Sequence, residues 1–306
     1  MSPNGKSMML GDLMLLAVAV VWGTSYGVVK SALFFYPVLG LIALRFGITF
    51  LLLSPALKAL RDLPKDRIRG LLGTGTLLLG IFLCETYGVM HTRAANAAFL
   101  ISLCVVFTPL VEWALLKRRP TRMEWSAVGL SMVGAMLLAK QGEWVFNVGD
   151  ALILLAAVLR ALQVCQLKRV TQDTRIPALT ITAVQAGVVA LGSALLVIVF
   201  VPSPMDALIA IKDAGIFWSY VGYLVLACTL FAFFAQNYAI KRSSPTRVAL
   251  LMGSEPLFGA LFAVLWLGEG VSVQGWMGGG LIVAACLLAD GRWVAGLRRS
   301  VVPNPI

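Results

Sequence analysis

Charged residues are scarce in this sequence. Asp, Glu, Lys and Arg make up 13% of its 306 residues, against about 25% in a typical soluble domain. Hydrophobic residues make up 59%, and the mean hydropathy is +0.90. So few polar side chains could not cover the surface of a soluble globular protein. The composition therefore predicts an all-α membrane protein.

The signatures of common enzymes are missing as well. The chain has one histidine, His91, and scattered carboxylates, so no metal or acid–base cluster lies at one membrane face. A glycine-rich loop ending in Lys-Ser or Lys-Thr is absent, which argues against ATP hydrolysis. The five cysteines, an odd number, lie in apolar segments without metal-ligand spacing. These absences predict a protein that is not an enzyme and uses no cofactor or metal.

Apolar stretches separated by short polar breaks fill the chain. A helix needs roughly 20 apolar residues to cross about 30 Å of hydrocarbon, so ten spans leave only short loops. The first stretch lacks a small-x-small cleavage site and is followed by further spans, which favours a retained helix over a signal peptide. The predicted spans are 10–32, 37–58, 69–90, 94–116, 124–139, 148–168, 176–201, 215–240, 245–267 and 274–291.

The formal net charge of +11 is divided unevenly between the two sides of such a bundle. With alternate loops on opposite sides, 19 Lys and Arg residues lie on the side of the termini and 4 on the other. The positive-inside rule then predicts a multi-pass membrane protein with both termini in the cytoplasm. The expected partners are the lipid bilayer and a small-molecule substrate, not nucleic acid. The excess of basic residues on one side could also bind anionic lipid.

Two offsets relate the first half of the sequence to the second. Gly11, Asp12 and Lys30 recur as Gly149, Asp150 and Lys168 at an offset of 138. Further along the chain the offset becomes 151, and it pairs Tyr87 with Tyr238, Phe107 with Phe258, Leu116 with Leu267, Trp125 with Trp276, Gly129 with Gly280 and Leu137 with Leu288. The difference between the two offsets, 151 minus 138, predicts thirteen extra residues in the second half, around 202–212.

This pattern predicts a duplication with halves 1–145 and 146–306. Because each half has five spans, an odd number, the second half enters the membrane inverted relative to the first. Inverted repeats are typical of secondary transporters, whose substrate sites lie near the membrane midplane where the repeats meet. The predicted fold is therefore ten transmembrane helices in two inverted five-helix repeats.

Several ordered motifs resemble those of the drug/metabolite transporter superfamily, in its EamA-like branch. They are Val21-Trp22-Gly23, Leu41 to Phe46, Ala95 to Leu100, Ser244-Pro245-Thr246, Ser254 to Phe258 and Leu267-Gly268-Glu269. The resemblance covers nearly the whole chain and implies ten helices around a central cavity that opens alternately to each side. One departure is that Val105 stands where the repeat would match Pro256, and a proline stands at Pro109. This departure predicts that the two halves kink differently.

Three ionisable residues lie about nine to twelve residues into their spans: Arg45, Arg160 and Glu255. A charge at the bilayer centre costs roughly 2.5 to 3.5 kcal/mol, so each needs a partner or water. One interpretation is structural, with interhelical ion pairs or bonds to the carbonyls of broken helices. The other is functional, with Glu255 as a proton carrier or amine partner and Arg160 as a carboxylate clamp.

Polar and aromatic side chains in the same spans complete the predicted substrate site. Trp22 and Tyr26 are four residues apart and share a helix face. Tyr87 and Tyr238 would also fit an interfacial belt, and His91 fits a hydrated side chain as well as a proton relay. The predicted substrate-binding residues are Trp22, Tyr26, Glu85, Tyr87, His91, Asn96, Arg160, Gln163, Gln236, Asn237 and Tyr238.

The sequence thus predicts a secondary transporter that exports amino acids, aromatic and other small ones among them, or related small metabolites by alternating access. Three alternatives remain. A transporter of lipids, drugs or nucleotide precursors would use the same fold, and lipid movement requires a cavity that opens laterally. A passive facilitator channel would conduct without alternating access. A lipid-modifying enzyme would need the acidic or histidine cluster that the sequence lacks.

Overall fold

The structure, a computed structural model, describes residues 3–92, 94–139, 146–172, 174, 176–267 and 272–290. Within these residues it contains helices and no strand. Arg93, Lys140, Arg175, Gly268-Glu269 and the basic residues after 290, all used in the predictions above, lie outside the described residues. The helices are α1 (Pro3–Ala32), α2 (Val38–Leu53), α3 (Lys65–His91), α4 (Ala94–Ser102), α5 (Cys104–Leu116), α6 (Arg122–Ala139), α7 (Val148–Thr171), α8 (Ala178–Phe200), α9 (Pro204–Ile209), α10 (Ala214–Val225), α11 (Ala232–Arg242), α12 (Pro245–Met252), α13 (Glu255–Leu267) and α14 (Val273–Asp290).

Among the described residues, seven helical segments are long and apolar enough to cross a membrane. This confirms a helical membrane protein, whereas the count of ten crossings stays a prediction. The predicted ninth span is divided at Gly253 and Ser254 into α12 and α13, of 8 and 13 residues, each shorter than the bilayer requires. The seven segments are Met9–Ala32, Val38–Leu60, Lys65–His91, Asn96–Leu116, Val148–Thr171, Ala178–Phe200 and Ala214–Arg242.

The outer face of the bundle is apolar. On α8, Leu191, Leu195 and Ile198 are between 65% and 77% exposed, and no polar side chain is exposed beside them on this helix. Contiguous exposed apolar surface of this kind marks contact with a membrane or partner. In a chain of such hydropathy the solvent for this face is lipid.

Small residues set the helix packing inside the bundle. A Cβ at Gly23 would lie 2.6 Å from the backbone oxygen of Glu255, so the glycine allows α1 to approach α13 closely. A Cβ at Gly134 would lie 2.5 Å from the oxygen of Gly278, which brings α6 and α14 together. Close approach at small residues is the usual way membrane helices gain van der Waals contact.

The fourth and ninth predicted spans are both broken. Leu103 separates α4 from α5 with φ −62° and ψ −11°, and Gly253 ends α12 with φ −62° and ψ −2°. The break at Leu103 and the one at Gly253 and Ser254 agree to within one residue at the offset of 151. The breaks therefore coincide, whereas Pro109 lies inside α5 with no proline at the matching position of α13, so different kinks of the two halves stay a prediction. Pro256 lies in the first turn of α13, where its missing N–H has no helical partner to lose, so the proline is not needed for the break.

Two irregular segments distinguish the second half. The stretch 202–212, where extra residues were predicted, contains the short helix α9, and Tyr36 holds it by donating its hydroxyl to the oxygen of Pro204. Between α10 and α11 the chain forms a π-helical segment, Leu226–Phe231. π-Helical turns are uncommon and frequently occur at functional sites.

Candidate functional site

A small closed cavity lies at the centre of the bundle, between α1, α2, α3, α7 and α11. The space within it that water can reach is about 20 Å³, enough for about one molecule. Its walls combine aromatic, charged and amide side chains. They are Trp22, Ser25, Tyr26, Arg45, Leu78, Ile81, Phe82, Glu85, Arg160, Gln163, Phe233 and Gln236.

The close packing of α1 on α13 places Tyr26 next to Glu255. With Gly23 at the contact, the Tyr26 hydroxyl reaches the carboxylate and donates to Oε2 of Glu255 at 3.2 Å. Both side chains are buried, with 4% of Tyr26 and 1% of Glu255 exposed. A helix of the first half and a helix of the second are thereby joined beside the cavity.

Glu255 also forms an ion pair with Arg160. Nη1 of Arg160 lies 3.3 Å from Oε1 of Glu255, and the guanidinium stacks 4.3 Å from the ring centre of Trp22. Two buried charges of opposite sign compensate each other, whereas either alone would be costly in this environment. The interhelical ion pair, one of the two interpretations of these residues, is thus present in the structure.

Arg45 is held by the π-helical segment. Its Nε donates to Oγ1 of Thr229 at 2.5 Å and its Nη2 to the oxygen of Cys228 at 3.1 Å, while its guanidinium lies 4.8 Å from the Phe82 ring centre. The indole N–H of Trp22 donates to the same Cys228 oxygen at 2.9 Å. The wider turn frees a carbonyl for side chains, so Arg45 is bonded to broken-helix backbone.

Three polar side chains on the cavity wall lack hydrogen-bond partners. Nε2 of Gln163 and Oε1 of Gln236 are buried and have no hydrogen-bond partner, and each of the two residues is only 1% exposed. The carboxylate of Glu85, which is partly exposed, makes no direct hydrogen bond or ion pair with a described residue, although the guanidinium groups of Arg160 and Arg45 attract it. Buried polar groups are nearly always satisfied, so such groups point to a partner that enters the cavity.

Five predicted site residues lie outside the central cavity. Asn237 is buried and donates to Oγ1 of Thr182 at 2.9 Å and Oε1 of Gln185 at 3.0 Å, so it joins α11 to α8. The guanidinium carbon of Arg242 lies 3.6 Å from the ring centre of Tyr238. The remaining three lie where α3 ends and α4 begins: Tyr87 and His91 are in the last turns of α3, Asn96 is in the first turn of α4, and His91 is exposed.

Several wall residues were not predicted from the sequence. Ser25, Leu78, Ile81, Phe82 and Phe233 line the cavity, and the rings of Phe82 and Phe233 are 5.9 Å apart. These two phenylalanines are separated by 151 residues, so the repeat offset would have found them. The same offset relates Glu85 to Gln236.

A larger cavity, of about 910 Å³, opens at the end of the bundle where α7 and α11 finish, here called the basic end. Glu112 is fully buried beside it and accepts bonds from the backbone N of Thr246 at 3.0 Å and its Oγ1 at 2.5 Å. Arg118 lies 2.9 Å from Glu112 and 2.7 Å from Glu124. This network ties α5 and α6 to the start of α12.

The described residues contain no group of three or more His, Cys, Asp or Glu side chains that could hold a metal ion. The central cavity therefore offers hydrogen bonds, paired charges and aromatic faces. Such walls suit the binding of a small polar molecule.

Comparisons with known proteins agree with this description. Residues 9–140 and 147–289 match the model of the EamA-like transporter family. An uncharacterized transporter of Archaeoglobus fulgidus is 27% identical over 94% of this chain and 88% of its own length. The uncharacterized inner membrane transporter YedA of Escherichia coli K12 is 26% identical, over 94% of each chain. A probable terminal-alkyne amino-acid exporter of Streptantibioticus cattleyicolor is 24% identical over 95% of this chain and 96% of that one.

A solved crystal structure also shares the fold. It aligns with a TM-score of 0.74 and 20% identity over 91% of this chain and 96% of the other. At that identity the likeness concerns the fold alone.

Proposed function

We propose, from the premise that this chain belongs to the EamA-like transporter family, that it is a secondary transporter exporting amino acids or related small polar metabolites. The observation that carries the proposal is the closed central cavity, where helices from both predicted halves present charged, amide and aromatic groups. One relative is named as a probable amino-acid exporter, which favours amino acids among polar metabolites. The inner-membrane relative supports a bacterial inner-membrane location.

The proposal includes two inverted five-helix repeats, and equivalent contacts support it. Gly11 of α1 faces Ala239 of α11, and Gly149 of α7 faces Gly88 of α3. The glycines differ by 138 and their contacts by 151, the two offsets found in the sequence. Each family match, 9–140 and 147–289, also falls within one proposed half, 1–145 or 146–306.

A second pair of contacts repeats in the same way. Lys30, at the end of α1, donates to the oxygen of Thr92 at 3.1 Å, just after α3. Lys168, 138 residues later, donates to the oxygens of Ile240 and Lys241 at the end of α11. The two lysines thus cap corresponding helices at opposite ends of the bundle, as inverted repeats require.

The two cavities support alternating access. The central cavity is narrow, and the larger cavity opens at the basic end, which the charge bias assigns to the cytoplasm. We take this arrangement as a conformer closed around the site with a cytoplasmic vestibule. Export then requires closure of the vestibule and opening of the other end.

Within this proposal the Arg160–Glu255 pair is the contact that a substrate changes. A carboxylate that binds the guanidinium of Arg160 competes with Glu255 at 3.3 Å, and the released Glu255 can accept a proton or an amine. The pair therefore couples occupancy of the site to the contact between α7, α13 and Tyr26 of α1.

Transport by purified protein in proteoliposomes tests the function. Labelled amino acids should cross the membrane in a saturable way without ATP. If transport is coupled to protons, an imposed proton gradient should change its rate. Protein-free liposomes and the Arg160→Gln variant are the controls, and the variant should lose most transport. Correctly folded protein that moves no amino acid across a broad panel would overturn the substrate assignment.

A further inference from the structure

We infer that Glu85 is the residue that selects substrates carrying a cationic nitrogen, with Gln236 and Gln163 completing the binding of the substrate's polar head. This assignment rests on the proposed transport function and specifies the recognition chemistry of the same cavity. It begins from the distribution of charge on the cavity wall.

Four formal charges lie in or beside the cavity, and two of them compensate each other. Arg160 and Glu255 form an ion pair at 3.3 Å. Arg45 donates hydrogen bonds to a hydroxyl and a carbonyl and lies over aromatic rings. Glu85 makes no direct hydrogen bond or ion pair with a described residue, although the guanidinium groups of Arg160 and Arg45 attract it. The Glu85 carboxylate is therefore available to a donor group of a ligand.

The unpaired carboxylate sets the first requirement on that ligand. A carboxylate that faces a narrow cavity without a hydrogen-bond donor is unfavourable, and a cationic N–H donor relieves the cost through a charge-assisted hydrogen bond. A ligand with only acceptor groups would leave Glu85 unpaired and would repel it. The wall therefore favours an ammonium-bearing ligand over its acylated form.

The two glutamines set the second requirement. Oε1 of Gln236 needs a donor and Nε2 of Gln163 needs an acceptor, and both atoms are buried on the same wall. An ammonium group can satisfy Gln236 together with Glu85, and a carboxylate can satisfy Gln163 together with Arg160, three residues earlier on α7. The combination of groups matches the head of a zwitterion.

The repeat relation between the two halves offers a direct test of the role of Glu85. It and Gln236 are related by the offset of 151, and they face the same cavity from α3 and α11. The two positions differ chiefly in one formal charge. Selection for a cationic nitrogen should therefore move with the carboxylate when the two residues are exchanged.

Apolar side chains on the same two helices as Glu85 and Gln236 suggest suitable probes. Leu78, Ile81, Phe82 and Phe233 provide a surface for a hydrocarbon side chain. L-Leucine, isoamylamine and N-acetyl-L-leucine share one such chain, and they carry respectively both charges, the ammonium alone and the carboxylate alone. Their comparison separates the two ends of the head group. The present cavity of about 20 Å³ must widen to admit any of them.

The experiment measures binding and transport in parallel on full-length protein. Binding is measured as the thermal shift of purified protein, and transport as uptake of labelled L-leucine into proteoliposomes in competition with the other two compounds. Wild type should bind isoamylamine at least about tenfold more tightly than N-acetyl-L-leucine, as expected for one charged hydrogen bond. Glu85→Gln should remove this preference, and the exchange Glu85→Gln/Gln236→Glu should restore it.

Asp66→Asn is the matched control, because it makes the same change at an exposed position at the start of the same helix. It should leave the preference unchanged. A wild type without preference for the amine, or a Glu85→Gln variant that keeps it, would overturn the assignment of Glu85. Protein that binds with the expected preference but transports none of the compounds would instead refute the transport function, so the two failures are distinct.

Discussion

At the scale of single residues, the sequence located three of the buried charges but not their partners, and it missed the fully buried Glu112. Arg45, Arg160 and Glu255 were recognisable because charges inside apolar spans are rare and must be satisfied. Their partners depend on which helices pack together, and no spacing within one helix encodes that. The π-helical segment that provides the Cys228 oxygen for Arg45 had no signal either, since it changes hydrogen-bond register without a diagnostic residue type.

The ion pair between Arg160 and Glu255 leads to a stability prediction. Glu255→Gln removes the carboxylate and leaves a buried guanidinium without compensation, which should lower stability by about 3–5 kcal/mol. The double variant Arg160→Met/Glu255→Met removes both charges and should regain most of the loss. Thermal unfolding in detergent measures both effects.

Transport separates this structural effect from function in the same proteins. If the pair takes part in transport, the double variant should be stable and inactive. A double variant as unstable as Glu255→Gln would show that the lost charge compensation is not the cause, and Tyr26, which also bonds Glu255, would then be the place to look.

At the scale of helices, apolar runs predicted positions well and interruptions poorly. The predicted span 176–201 corresponds to α8 at Ala178–Phe200, because hydropathy and flanking breakers mark both ends. The breaks at Leu103 and Gly253 were missed, since proline was taken as their signal. The structure places them at equivalent positions where the residue types differ, so packing between the helices determines the break.

The break at Gly253 can be tested by filling its space. A Cβ at this position would overlap Cγ2 of Val105, which lies at the start of α5 in the other broken span. Gly253→Ala should therefore destabilise the protein by about 1–3 kcal/mol through overpacking. Val105→Ala in the same chain should relieve the overlap and recover part of that loss, as measured by thermal unfolding.

A second glycine provides the control for this pair. At Gly222 of α10, a Cβ would meet no atom within 4 Å among the described residues, so Gly222→Ala should be neutral or stabilising. Equal losses at both glycines would mean that helix flexibility, and not contact with Val105, accounts for the effect. Additive effects of Gly253→Ala and Val105→Ala would lead to the same conclusion.

At the scale of the whole molecule, the two sequence offsets also connect residues that meet in the structure. Trp22 and Arg160 differ by 138, Glu85 and Gln236 differ by 151, and all four side chains line the central cavity. Which residues would face inward could not be read from the sequence, because apolar membrane helices show little contrast between faces. Thus Asn237 and Gln236 are adjacent, yet only Gln236 reaches the cavity.

The inverted relation of the halves can be tested with one pair of equivalent positions. Phe34 follows α1 and is 85% exposed, and Gln172, 138 residues later, follows α7 and is also exposed. Inverted repeats place these two residues on opposite sides of the membrane. In a cysteine-free background, a membrane-impermeant maleimide should label Phe34→Cys in intact cells and Gln172→Cys only in inside-out vesicles.

A third position calibrates the labelling. Phe146 precedes α7, is 61% exposed and lies one helix length from Gln172, so Phe146→Cys should label in intact cells like Phe34→Cys. The background must retain the wild-type melting temperature, because Cys165 and Cys228 are buried and their replacement changes the core. Labelling of Phe34→Cys and Gln172→Cys from the same side would mean parallel halves. In that case the equivalent lysine contacts at the ends of α3 and α11 could not be explained by inversion.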